Sequence, residues 1–175
     1  MLNYRNFYIL FLLLTTNHAF SESPEANAPQ NNHKQTYLVL TAPEGWRSME
    51  AKDLSPSVKM MVVGKGDYEF PPSINIGTEV YPGTLKAYLK RIKEINSSKG
   101  AEFKDLGTIN IEAGVASLSQ VDKKTEWGNV RMMHVIFKKD DTIYIATAAA
   151  RREEFPTFYK SFFNALKSLK FEERK

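Results

Sequence analysis

EFPPSINIGTEVY, residues 69–81, places two prolines directly before a run in which apolar and polar residues alternate. Proline has no N–H to give to a strand ladder, so Pro71 and Pro72 do not belong inside a central strand, but they can lead into one. From Ser73 the alternation puts Ile74, Ile76, Thr78 and Val80 on one face. Ser73, Asn75, Gly77, Glu79 and Tyr81 fall on the other. A proline-rich recognition peptide would need a longer extended run with prolines spaced for a groove, and no third proline supports it. The stretch reads as a strand with a stiff lead-in.

The segments on either side complete a pattern. Pro82-Gly83 ends the strand and Thr84 is placed to cap a helix. Leu85, Tyr88, Leu89, Ile92 and Ile95 then recur at helical spacing and make one apolar stripe. Lys86, Lys90 and Lys93 make a basic stripe on the outer side, with Glu94 set to pair with Lys90 at i,i+4. That stripe is either a solvated face or a docking surface for an acidic partner or lipid head groups. Gly100 suits the helix stop.

Upstream, residues 37–41 and 59–64 read as strands, with a turn at APEGW, residues 42–46, and a hairpin-like turn at residues 64–67. Downstream, residues 103–111, 114–122, 129–138 and 142–150 read as four successive strands. KKTEWG, residues 123–128, is read as a polar turn, and the short turn at residues 139–141 predicts antiparallel pairing of the last two strands. Phe155, Phe158, Tyr159, Phe162, Leu166 and Leu169 predict an amphipathic C-terminal helix with Pro156 in its first turn. Val130, Met132 and Ile136 alternate with Met133, Val135 and Phe137, so both faces of the later strands carry apolar residues. The predicted fold class is α+β: an antiparallel sheet flanked by helices on both faces, an α/β/α sandwich.

The N-terminus differs from the rest. Arg5, the uncharged apolar run of residues 7–14 and the small residues Ala19 and Ser21 read as a secretory signal over residues 1–21. The run is shorter than the roughly 20 apolar residues that span a bilayer. Residues 22–35 carry Pro24, Pro29 and several asparagines with no large apolar residue, and read as a flexible tether. Residues 36–175 are then one domain. Loss of residues 1–21 leaves 23 basic against 20 acidic residues, a net charge of +3. This is too mild to mark a nucleic-acid binder. The chain has no cysteine, which removes disulfides, thiolate metal sites and a cysteine nucleophile.

No catalytic constellation emerges, and no metal site or cofactor is expected. His134 lies inside a strand with no second histidine at ligand spacing, and reads as a hydrogen-bonded sheet residue. There is no Gly-x-Ser-x-Gly elbow. Asn75 and Glu79 share a strand face with Gly77 between them. They could bind a partner's backbone or a small polar ligand, or hydrogen-bond to neighbouring segments and hold a helix over the sheet. Trp127 is a third candidate partner-binding residue; Trp46 is more naturally a core residue.

APEGW, FPPSINI followed by Glu79, YLK in the middle helix, GTINIEAGVA and the C-terminal SLKF together resemble the PsbP-like superfamily, which includes DcrB-like bacterial proteins. The resemblance covers roughly residues 37–173. It implies an accessory protein: the family includes a photosystem II extrinsic subunit, a Ran-binding factor, envelope proteins and adaptor chaperones. DcrB resembles a lipoprotein, whereas this chain has no cysteine to lipidate. The reading is an exported, non-catalytic protein, periplasmic or secreted, that binds another envelope or secreted protein. The alternatives are a small-ligand or metal carrier at Asn75 and Glu79, and a hydrolase built on an accessible His134 with an acid.

Overall fold

The computed structural model describes residues 36–65 and 69–173. The signal and tether of residues 1–35 and part of the turn at residues 64–67 lie outside the described residues. The fold is mixed α+β, with one large antiparallel sheet and two helices. Its strands are β1 (Thr36–Val39), β2 (Arg47–Ser48), β3 (Val58–Val63), β4 (Ser73–Val80), β5 (Glu102–Ile111), β6 (Gly114–Thr125), β7 (Gly128–Lys139), β8 (Thr142–Arg151) and β9 (Lys170–Glu173). The helices are α1 (Leu85–Ser98) and α2 (Phe155–Lys167). Seven strands hydrogen-bond in the order β2-β3-β4-β8-β7-β6-β5, and β1 pairs with β9 in a separate two-stranded sheet.

The opening stretch lies near the middle of this order. Pro71 and Pro72 are buried just ahead of β4, and the Pro72 carbonyl accepts from the Gly64 N–H at 2.8 Å. Proline serves here because only its carbonyl is needed. A Cβ on Gly64 would stand 2.8 Å from Pro72 Cγ and 2.9 Å from the Trp46 ring, so the site admits only glycine without a shift. Trp46 in turn meets Phe158 and Phe162 edge-on, with centroids 6.2 and 5.8 Å apart.

Alternation along β7 and β8 sorts the core. Met133, Val135 and Phe137 join Ala146, Ala148 and Ala150 in the cluster that holds Phe155, Phe162 and Leu166 of α2. The intervening Ile136, with Ile143 and Ile145, joins Tyr88 and Ile92 of α1. Successive strand residues point to opposite faces. The alanines of β8 are small, which lets the phenylalanines of α2 approach the sheet.

Four features go beyond or depart from the sequence reading. The first strand is not part of the main sheet: extended residues after the Ser168 helix cap form β9, which the sequence reading had merged with the helix end, and β1 pairs with it. The KKTEWG turn shrinks to Glu126-Trp127, because β6 and β7 pair as far as Thr125 and Gly128. The Thr125 hydroxyl closes this turn, accepting from the Trp127 N–H and donating to the Gly128 carbonyl, and Gly128 takes a φ of 103° that favours glycine. The two-residue β2 was not anticipated. Tyr159 stands at the margin of the α2 stripe and is 51% exposed, while Phe162 is fully buried.

These two aromatic residues of one helix give a direct test of the packing. Phe162→Ala should lower unfolding free energy by about 3–5 kcal/mol, while Tyr159→Ala should cost about 0.5 kcal/mol or less. Urea denaturation followed by circular dichroism reads both; similar losses for the two would contradict the assigned faces.

Candidate functional site

Strand β4 ends beside the first turns of α1, and Glu79 joins the two. The Thr84 hydroxyl accepts from the Ala87 N–H at 3.2 Å and fixes where α1 starts. Helical spacing then brings Tyr88 and Arg91, three residues apart, over the end of β4. Tyr88 Oη donates to Glu79 Oε2 at 2.7 Å and Arg91 Nη2 donates to Glu79 Oε1 at 2.6 Å. The Arg91 guanidinium also lies 5.1 and 4.8 Å from the Tyr81 and Tyr88 ring centroids. Burial, and then the bond and charge of Glu79, push the Tyr88 phenol well above its ordinary pKa. Burial would lower the Arg91 pKa, but the hydrogen bond and charge of Glu79 outweigh it and raise it. Both groups therefore keep their protons at physiological pH, and Glu79 is a clamp that holds α1 on the sheet.

Asn75 lies four residues back along the same strand face, about 13 Å away, among different neighbours. Register places Ser119, His134, Thr147 and Asn75 opposite one another across β6, β7, β8 and β4. All four are buried. His134 Nδ1 and Thr147 Oγ1 share a hydrogen bond of 2.9 Å. Asn75 Oδ1 and Ser119 Oγ are buried with no protein partner. Burial pushes the His134 imidazole down to a pKa of about 4, so the ring is neutral at physiological pH. A hydrolase would need this ring exposed and bonded to a carboxylate; β7 and β8 bury it against a threonine.

Trp127 does not join Asn75 or Glu79. Its half-buried ring stacks on Phe70 at 5.7 Å, over the cluster of Val121, Val130, Met132 and Ala149. Asp122 is bonded by Arg131 Nε and Nη2 at 2.7 and 2.6 Å, with Arg152 Nε at 3.5 Å. Among the described residues, no group of three His, Asp or Glu side chains could hold a metal ion. An open groove of about 450 Å³ runs between Ile111 and Ser168, and a cleft of about 220 Å³ lies between Leu89 and Phe103; neither includes Asn75 or Glu79.

The surface feature that the sequence reading missed is on α2. Tyr159 is exposed and stacks on half-buried Phe163, with centroids 5.9 Å apart and planes at 16°. Lys167 Nζ lies 5.9 Å from the Phe163 ring. Residues 159, 163 and 167 are spaced i,i+4,i+8, a ridge visible in the sequence once Tyr159 is taken out of the buried stripe.

No family model matches the chain, and no curated protein does. Solved structures do match. LpqN, involved in cell envelope biogenesis of Mycobacterium tuberculosis, aligns at 12% identity over 81% of this chain and 87% of its own, with a TM-score of 0.52. PA94 of Pseudomonas aeruginosa, a protein of unknown function, aligns at 16% identity over 90% and 96%, with a TM-score of 0.50. Cyanobacterial PsbP (CyanoP) of Synechocystis aligns at 10% identity over 87% and 100%, with a TM-score of 0.47. At such identities the likeness to LpqN and PA94 is one of fold alone. No helix among the described residues is long and apolar enough to cross a membrane.

Removing the Glu79 carboxylate strands Arg91 and the buried Tyr88 hydroxyl together. Glu79→Ala should cost about 2 kcal/mol, and a double-mutant cycle with Arg91→Ala should show positive coupling; additive losses would mean the clamp is not formed.

His134 makes stability depend on pH. Its pKa falls from 6.5 in the unfolded chain to about 4 in the fold, so the unfolded chain binds the extra proton first. The stabilisation is complete above pH 6.5 and is lost as pH falls towards 4, by roughly 3 kcal/mol. Denaturation midpoints of the wild type and His134→Gln, compared across that window, should converge as the pH drops; parallel curves would place the ring in solvent.

Proposed function

We propose that this chain is an exported accessory protein that binds another envelope or secreted protein through the outer face of α2. The observation that carries the reading is the Tyr159–Phe163 ridge: an exposed aromatic stacked on a second, with a lysine beside it. Water gains nothing from such a pair, whereas aromatic side chains on a rigid helix are the usual anchors of protein interfaces. The signal-like residues 1–21 support export. The fold shared with LpqN, a protein of cell envelope biogenesis, is in keeping with an envelope role.

The two helices are read as lying on opposite faces of the sheet, from the alternation of their contact residues on β7. On that reading α1 and α2 offer two separate outer surfaces. The role is binding without catalysis, because the groups best suited to chemistry have internal partners. Glu79 is taken up by Tyr88 and Arg91, Asp122 by Arg131, and His134 by Thr147. Asn75, Glu79 and Trp127 then act on the partner only by holding the frame. A small-ligand carrier would need an enclosed pocket at Asn75 and Glu79, where α1 is instead clamped down.

Crosslinking in the native cell, followed by mass spectrometry of what is recovered with the protein, tests this. One recurrent protein should be captured by the wild type and by Lys86→Ala, and lost with Tyr159→Ala. Capture of no recurrent protein, or of the same one by Tyr159→Ala, would overturn the reading.

A further inference from the structure

The side of the sheet that carries α1 holds a set of cations that make no ion pair among the described residues. Lys86 and Lys93 stand exposed on the outer stripe of α1, and Lys99 follows the helix end. Only Lys90 between them is paired, with Glu94 at 3.8 Å. Lys123 and Arg151 flank buried Val130 in one register row across β6, β7 and β8. Val130 has the parity of Ile136, which packs under α1, so both cations belong to the α1 side. Among the described residues, Lys86, Lys93, Lys99, Lys123 and Arg151 make no ion pair. The Arg151 Nε is buried without a partner. Asp105 shares a cleft with Lys90 and Lys93, but its Oδ1 accepts from the Gly107 N–H at 2.8 Å. Partial burial, and then the charge of Lys99, lower the Lys123 pKa, so these two cations are already close together.

We propose that the α1 side docks on an anionic phospholipid surface. The cations are spread out: Lys86 to Lys93 alone covers about 10 Å along the helix, and Lys123 and Arg151 lie beyond its C-terminal end. An array of that extent matches many head groups better than one acidic side chain. A protein interface would also need an apolar or aromatic anchor at its centre. Among the described residues the exposed aromatic one is Tyr159, on α2 instead. Trp127 is an aromatic ring on the cationic side, half-buried at the hairpin tip beyond Lys123 and Lys124. An amphipathic indole at the rim of a basic surface is suited to head-group depth. Each basic residue held near an anionic leaflet strengthens binding by about fivefold, so several together suffice for reversible attachment.

The test uses the protein in the form recovered from expressing cells, with its N-terminus read by mass spectrometry. It is sedimented with vesicles of phosphatidylglycerol and phosphatidylcholine, and with phosphatidylcholine alone, which accounts for any attachment by apolar N-terminal residues. Binding should favour the anionic vesicles, fall steeply with added salt, and weaken by more than about tenfold in a Lys86→Glu/Lys93→Glu variant whose circular dichroism is unchanged. Tyr159→Ala should bind like the wild type, which keeps this result separate from that of the protein interface. Equal binding to both vesicle types, or unchanged binding by the lysine variant, would overturn the proposal. So would capture of a poly-glutamate peptide without vesicle binding, which would assign the surface to an acidic protein segment.

Discussion

The pairing of β4 with β8 is the contact on which the rest of the molecule depends. It runs in unbroken register from Ser73 opposite Ala149 to Val80 opposite Thr142. Without it the chain is two pieces: a small β2–β3–β4 unit, and a meander of β5 to β8 joined by tight turns. Meander contacts are local and cheap in loop entropy, whereas β4 and β8 are separated by the whole of α1 and three strands. Their pairing fixes which residues share a face, and so which helix can be covered by which strand. Ala146, Ala148 and Ala150 fall under α2, while Ile143 and Ile145 fall under α1.

The same pairing aligns Asn75 with Thr147 and, through β7 and β6, with His134 and Ser119. A buried polar row is costly unless its members bond to one another. Here His134 and Thr147 do, and the price of burial at the ends of the row is borne by the apolar clusters on either side of it. The Glu79 clamp lies at the α1 end of the same face. It combines a carboxylate with two donors of different kinds, a phenol and a guanidinium, which sets both the position and the rotation of α1. A helix clamped in this way presents a fixed outer stripe, and the geometry of Lys86, Lys90 and Lys93 follows from Glu79 rather than from the lysines themselves.

What could be read in the sequence divides along the line between local and non-local physics. The strand of residues 73–80, its proline lead-in, the Thr84 cap and the α1 stripe each rest on neighbours in the chain, and each stands in the fold. The resemblance to PsbP-like proteins rests on turns and core positions of that local kind. Strand order is non-local, so nothing in residues 36–39 announced that they would leave the main sheet for β9. The two candidates Asn75 and Glu79 were placed on one face correctly, yet the sequence could not say that α1 would bring Tyr88 and Arg91 onto Glu79 while leaving Asn75 to His134's row. Trp127 was read as part of a six-residue turn; the Thr125 hydroxyl tightens that turn to two residues and folds the indole onto Phe70. Tyr159 was misplaced because a helical stripe has edges, and a tyrosine at the edge can satisfy either side.

The placement of charge then follows from what the core has already taken. Glu79 and Asp105 are acids beside α1; the first is bonded inward by Tyr88 and Arg91, and the second accepts from the Gly107 N–H. Acids used in this way leave the cations of the α1 side without partners, although the protein as a whole carries nearly as many acids as bases. The aromatic pair on α2 has a similar origin: a helix that buries Phe155, Phe162 and Leu166 against alanines leaves Phe163 half-buried at the edge of that side and Tyr159 exposed beyond it. On the proposed placement of the two helices, a charged face and an aromatic face are separated by the sheet's own alternation. Such a separation favours two different kinds of contact made at once, one set by electrostatics and salt, the other by apolar burial.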